Sequence, residues 1–242
     1  MAGEFDSGSF DLIWPVGFGP RHTYLDRLHL LALMDQRRLI TPALTQLTYH
    51  GKAAWLQYAP PSIVSKDPGR LEAWFAHQDA RCVLKPLAGS YGDGVALIER
   101  AEQLRRMATD DQYWILQRFI EKIEDGETRT LIAAGKVIGS YLRQPAAGEF
   151  RSNLARHATP VGTVIDTNAQ HCVDQVRKVL IENHIHFASV DTCDGYVIEV
   201  NVVNPGGLAT LESLYARQFT GDVVDAVSAR LMSSRPWQES DL

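Results

Sequence analysis

The segment Asp191-Thr192-Cys193-Asp194-Gly195-Tyr196-Val197-Ile198-Glu199-Val200-Asn201 reads as two strands joined by a tight turn, and its polar residues restrict how those strands can pair. Glu199 and Asn201 are two apart on a strand, so they share one face. Both interrupt apolar residues. A hard cation explains that pattern, because Mg²⁺ takes one or two carboxylates together with phosphate oxygens and water. Asp191 joins them only if the turn has the right parity. A two-residue turn at Asp194-Gly195 sets Asp191 opposite Ile198 and leaves Glu199 on the other face. A three-residue loop, Cys193-Asp194-Gly195 with Gly195 left-handed, sets Asp191 opposite Val197 and diagonal to Glu199. The metal assignment therefore predicts the three-residue bulged turn, and on this reading a two-residue turn overturns it. A polar strand face in water with an Asx-type turn accounts for the same residues.

Elsewhere, short strands alternate with helices and hairpins. Strands are expected at 11–16, 62–64, 82–87, 95–99 and 113–119, with a hairpin of 128–134 and 136–143 around Ala134-Gly135 and final strands at 187–191 and 196–201. Helices are expected at 24–39, 52–58, 70–77, 102–107, 171–183 and 223–232, followed by a frayed tail at 233–242. This is an α+β (α/β) pattern. The 242 residues suffice for a sizeable core, and 45% apolar with 22% charged residues excludes a disordered chain. No apolar run approaches the ~20 residues of a membrane span, and the acidic start lacks the apolar stretch of a signal peptide. A net charge of −5 without a basic run longer than two residues argues against nucleic acid as a partner. Three cysteines (Cys82, Cys172, Cys193) without C-x-x-C spacing point to a reducing, cytoplasmic setting.

Gly89-Ser90-Tyr91-Gly92-Asp93-Gly94 lies between two strands, where its backbone amides could close over a polyphosphate. It is neither a P-loop nor a dinucleotide fingerprint, since no helix opens there, and an ordinary hairpin loop has the same composition. Lys85 interrupts an apolar strand, a costly position unless a phosphate or carboxylate pairs with it. Lys52 stands at a helix start, where a solvated surface lysine is also at home. Arg129, Arg143 and Arg151, with Glu149 and Asn153 near the last, suit carboxylate or phosphate recognition and equally suit surface ion pairing.

Taken in order, Val83-Leu84-Lys85-Pro86-Leu87-Ala88-Gly89, Gln117-Arg118-Phe119-Ile120, Asp125-Gly126-Glu127-Thr128-Arg129, Gly148-Glu149-Phe150-Arg151-Ser152-Asn153-Leu154 and Asp191 through Asn201 resemble the ATP-grasp region of bacterial glutathione synthetases, as does Lys52 in Tyr49-His50-Gly51-Lys52. The resemblance spans roughly residues 11 to 232. It implies an ATP-grasp fold whose two α+β subdomains clasp ATP, at 51–120 with the flap and at 121–232 with the Mg²⁺ site. Residues 1–50 would then be the strand-helix-strand remnant of a Rossmann-like preceding domain.

The same resemblance implies that Lys52 and Lys85 meet the phosphates under a flap of Ser90, Tyr91, Gly92 and Gly94. Gln117, Phe119 and Ile120 would line the adenine hinge, with Glu127 near the ribose. Asp191, Glu199 and Asn201 would hold one or two Mg²⁺ ions, for which Mn²⁺ could substitute. Arg151, Asn153 and Arg129 would be catalytic, the first two facing the γ-phosphate and the acyl phosphate formed from it, while Arg143, Asn204, Gly206 and Gly207 would face the substrate. The implied activity is an ATP-dependent carboxylate–amine ligase acting on an amino acid or small peptide. A phosphotransferase, or a catalytically reduced nucleotide-binding module, is the alternative. Three features depart from the family: the short stretch before Lys52, Leu154-Ala155-Arg156-His157-Ala158-Thr159-Pro160 in place of a glycine-rich loop, and Asn204-Pro205-Gly206-Gly207 after the metal residues. Apolar surface around Trp14 and Phe18 suggests a homodimer, which sedimentation would test.

Overall fold

The structure is a computed structural model that describes residues 7–17, 19–89, 92–152, 154 and 157–232. Ser90, Tyr91, Asn153, Phe18 and the tail from residue 233 lie outside the described residues.

The first helix, α1 (Tyr24–Ala32), stops short of the expected Leu39. Gln36 Nε2 donates to the carbonyls of Leu31 and Met34, and Asp35 caps a separate 3-10 turn at Gln36–Arg38. The expected strand at 11–16 is reduced to one parallel bridge between Ile13 and Leu39. A helix not anticipated from sequence, α2 (Ala43–Tyr49), follows Pro42. Lys52–Tyr58 is helical but 3-10, and it buries Trp55.

Four antiparallel strands then form the first sheet: β1 (Ser62–Ser65), β2 (Cys82–Pro86), β3 (Ala96–Ile98) and β4 (Trp114–Arg118), in the order β1-β4-β2-β3. Alternation along β2 explains its two faces. Cys82 and Leu84 are fully buried against Leu71 of α3 (Pro68–Phe75) and Leu104 of α4 (Ala101–Met107). Val83 and Lys85 point the opposite way and line a cleft.

The second sheet comprises β5 (Glu127–Ala133), β6 (Lys136–Gln144), β7 (Thr159–Gly162), β8 (Phe187–Cys193) and β9 (Tyr196–Asn201), in the order β7-β6-β5-β8-β9. One face is covered by α5 (Thr167–Glu182), whose start is capped by the Asp166 carboxylate accepting from Ala169 N–H at 2.8 Å. Val173, Val176 and Leu180 of that helix pack on Ala188, Val190, Val197 and Val200. On the other face, α6 (Leu208–Tyr215) and α7 (Thr220–Met232) close the far end through Leu211, Phe219 and Val223. Sequence reading had no signal for β7, a short strand carrying Pro160, or for α6, which begins where paired glycines read as a turn.

The β8–β9 turn corrects the three-residue expectation. Asp194 and Gly195 both have positive φ, at 50° and 79°, and Cys193 pairs with Tyr196, so the turn has two residues. Asp-Gly meets the demand of such a turn for two positive φ values. Parity is recovered one step later, where a bulge leaves Ile198 without a partner and sets Asp191 directly opposite Glu199. The bulge also explains why Ile198 and Glu199 both face the cleft while Val197 and Val200 both pack toward α5.

Candidate active site

The cleft lies between the two sheets and has a volume of about 270 Å³. One end is apolar. Val83, Phe119, Ile123, Phe150 and Ile198 form its wall, with the rings of Phe119 and Phe150 edge-to-face at 5.8 Å. The Arg81 guanidinium lies over the outer face of Phe119, 4.5 Å from the ring centre. Phe119 and Ile120 were expected here. Ile123, Phe150 and Ile198 were not, because one sequence cannot distinguish an apolar residue lining a cleft from one filling a core.

Basic groups gather beside this wall. Lys85 Nζ donates to Gln117 Oε1 at 2.8 Å, an amide partner that the sequence did not suggest. Burial pushes the Lys85 ammonium below the usual lysine range, and Glu199 and Glu127 act in the opposite direction. Gln117 is itself buried, with its side chain held between Lys85 and Ser62. Lys52 Nζ donates to the Gly89 carbonyl of the flap and lies 4.0 Å from Glu199 Oε1. Gly92 lines the cleft, whereas Gly94 packs on Pro86, where a Cβ would come within 2.8 Å of Cγ. Arg151 reaches the other side of the flap, with Nη1 3.4 Å from the Gly92 carbonyl. Its Nε donates to Glu149 Oε1 at 2.9 Å, and the Arg151 hydrogen bonds hold the Glu149 carboxyl at about 2.

Deeper in, Glu127, Arg129, Arg143 and Asp191 form a buried ion cluster on one face of the second sheet. Strand register assembles it, since Arg129 pairs with Asp191 on one side and Glu127 with Arg143 on the other. Arg143 Nη2 bridges to Glu127 and, at 2.7 Å, to Asp191 Oδ2. Burial drives the Asp191 carboxyl upward, but Arg129 and Arg143 outweigh it and hold the group below the usual range. Glu127, for which burial outweighs Arg143, stays above its usual range. Arg129 Nη1 also donates to the Gly206 carbonyl at 3.0 Å, tying Asn204–Gly207 to the cluster.

The three expected metal residues therefore differ in placement. Glu199 and Asn201 line the cleft and offer hard oxygen donors of the kind Mg²⁺ takes. The Asp191 carboxylate is wholly buried and bound to arginines. Among the described residues no group of three or more His, Cys, Asp or Glu side chains is arranged to hold a metal. The donors fit a cation that two protein side chains share with phosphate oxygens and water. Of the expected substrate residues, Arg143, Asn204 and Gly206 line the cleft, while Gly207 supports it from below against Tyr141.

Two sheets facing each other across a cleft, with Lys85 and a glycine flap on one side, carboxylate and amide donors on the other, and Lys52 reaching both the flap and Glu199, define the ATP-grasp class. The structure of the D-cycloserine synthetase DcsG superposes with a TM-score of 0.67 at 20% identity, covering 95% of this chain and 87% of the other. The family described as "Prokaryotic glutathione synthetase, ATP-grasp domain" matches residues 51–216. A glutathione synthetase of Prochlorococcus marinus (strain MIT 9313) is 31% identical over 87% of this chain and 70% of its own length. That of Rhodopseudomonas palustris (strain ATCC BAA-98 / CGA009) is 27% identical over 71% of the chain, which spans only 56% of the relative. The chain belongs to the ATP-grasp family of prokaryotic glutathione synthetases, which are ATP-dependent carbon–nitrogen ligases.

Proposed function

We propose that the cleft binds ATP and joins a small carboxylic acid, an amino acid or short peptide, to an amine, in a cytoplasmic setting. What carries this reading is one cavity that unites an apolar wall, the cations Lys52 and Lys85, and the oxygen donors Glu199 and Asn201. Residues 51–120 and 121–232 are the two halves of the clasp in this assignment, and 1–50 is a separate segment that precedes them.

In this reading Phe119, Ile120 and Ile198 hold the base, while Lys52 and Lys85 neutralise the phosphates. The substrate carboxylate attacks the γ-phosphorus, the bond to ADP breaks, and an acyl phosphate forms. Arg151, poised between Glu149 and the flap, offsets the negative charge that develops on the transferred group. The amine then attacks the acyl carbon, inorganic phosphate leaves, the nitrogen loses a proton, and an amide results. Glu199 and Asn201 would hold Mg²⁺, which supplies charge neutralisation at the phosphate oxygens when bound. Pinned by Lys52 and Arg151 at Gly89 and Gly92, the flap keeps water from the acyl phosphate.

Thermal-shift titration with ADP and ATP, with and without Mg²⁺, on wild type and Glu199→Gln tests the reading. A ligand at a hundredfold excess over its Kd adds ~2.7 kcal/mol to native stability. Mg²⁺-dependent stabilisation that Glu199→Gln weakens is expected, followed by ADP release in an acid-by-amine screen. Folded protein that responds to no nucleotide would overturn the assignment.

A further inference from the structure

Three hydrogen bonds run in series from the backbone to the cleft. Ser62 Oγ donates to the Pro60 carbonyl at 2.6 Å, Gln117 Nε2 donates to Ser62 Oγ at 2.9 Å, and Lys85 Nζ donates to Gln117 Oε1 at 2.8 Å. Chemistry fixes the polarity of this series at both ends. A lysine ammonium can only donate, so the Gln117 atom facing it must be the oxygen; a carbonyl can only accept, so the Ser62 proton must point to Pro60. The amide of Gln117 therefore has one permitted orientation. Strand register supplies the placement, with Ser62 directly opposite Gln117 across β1–β4 and Val83, two residues before Lys85, opposite Gln117 across β2–β4.

We infer that Ser62 is a positioning residue for nucleotide phosphates, acting through Gln117 to hold the Lys85 ammonium in one place. A lysine chain has several rotatable bonds, and their freedom is lost when the ammonium engages a phosphate. Fixing Lys85 beforehand removes much of that cost from binding. Gln117, which resemblance assigns to the base, thereby serves the phosphate end of the site. The inference rests on the proposed ATP reading.

Calorimetric titration with ATP and with adenosine separates the two. Ser62→Ala should weaken ATP about threefold to tenfold, the range for one lost hydrogen bond, and leave adenosine affinity unchanged. Ser62→Thr, which keeps the hydroxyl, should restore ATP affinity. The double variant Ser62→Ala/Gln117→Met should bind ATP no more weakly than Gln117→Met alone, because both break one series. If Ser62→Ala does not fold, Ser62→Cys takes its place with the same expectation. Equal losses for ATP and adenosine, failure of threonine to rescue, or additive losses in the double variant would overturn the inference. Wild type that binds no ATP would remove the ATP reading as well, whereas unchanged ATP binding by Ser62→Ala would remove only the role of Ser62.

Discussion

Arg129 holds both oxygens of Asp191, with Nε to Oδ1 at 2.8 Å and Nη2 to Oδ2 at 2.6 Å, between adjacent strands of the second sheet. Arg143 adds a third bond to the same carboxylate, and Glu127 completes the charge balance. Removing one member leaves buried charge uncompensated, which typically costs about 3–5 kcal/mol. Asp191→Asn should accordingly lower the unfolding free energy from urea denaturation at neutral pH by an amount in that range. An unfolding free energy within about 1 kcal/mol of wild type would show that the cluster does not act as a buried ion network.

His186 gives the stability a pH dependence of its own. Burial pushes its imidazole down to about 4, and His184 and Arg230 add to the effect. Between about 4 and the unfolded value near 6.5, the unfolded chain binds a proton that the folded chain does not. Stability from this group is thus full above about pH 6.5 and is lost as pH falls toward 4, by on the order of 3 kcal/mol. Urea midpoints measured across that window should fall less steeply for His186→Gln than for wild type.

The bulge residue Ile198 contributes to the wall assigned to the base. Replacing it by alanine removes apolar surface from that wall and leaves the lysines in place. Ile198→Ala should weaken ADP and adenosine equally, each by about tenfold, the equivalent of roughly 1.4 kcal/mol. Calorimetry that finds ADP weakened and adenosine unaffected would place the base elsewhere.

Gly206 and Gly207 are adjacent but should respond differently to alanine. At Gly207 φ is +118°, and an added Cβ would lie 2.5 Å from Tyr141 Oη and 3.2 Å from Arg129 Cδ; at Gly206 nothing lies within 4 Å. Gly207→Ala should cost about 1–3 kcal/mol in denaturant, while Gly206→Ala should leave stability unchanged. A loss of turnover in Gly206→Ala with an unaltered melting curve would place substrate against that loop.

Most strand positions were legible because β2 and β4 contain short apolar runs, and Ala134-Gly135 and Asp194-Gly195 mark the turns of the β5–β6 and β8–β9 hairpins. The helix expected to reach Leu39 was misjudged because its apolar spacing carries no sign of the Gln36 side chain bonding to the Leu31 and Met34 carbonyls. The candidate site was legible to the extent that its polar residues interrupt apolar strands, as Lys85 and Glu199 do. Phe150 and Ile123 left no such mark.

By itself the sequence determined which residues alternate, where the chain turns, and which polar side chains are costly in a strand, since those are local properties of backbone and side chain. Only the tertiary structure decided that Asp191 faces Arg129 and Arg143, that Gln117 faces Lys85, and that a bulge at Ile198 offsets a two-residue turn. Each depends on register between strands that are distant in sequence or on one unpaired residue. A single-residue shift in pairing turns every side chain to the other face.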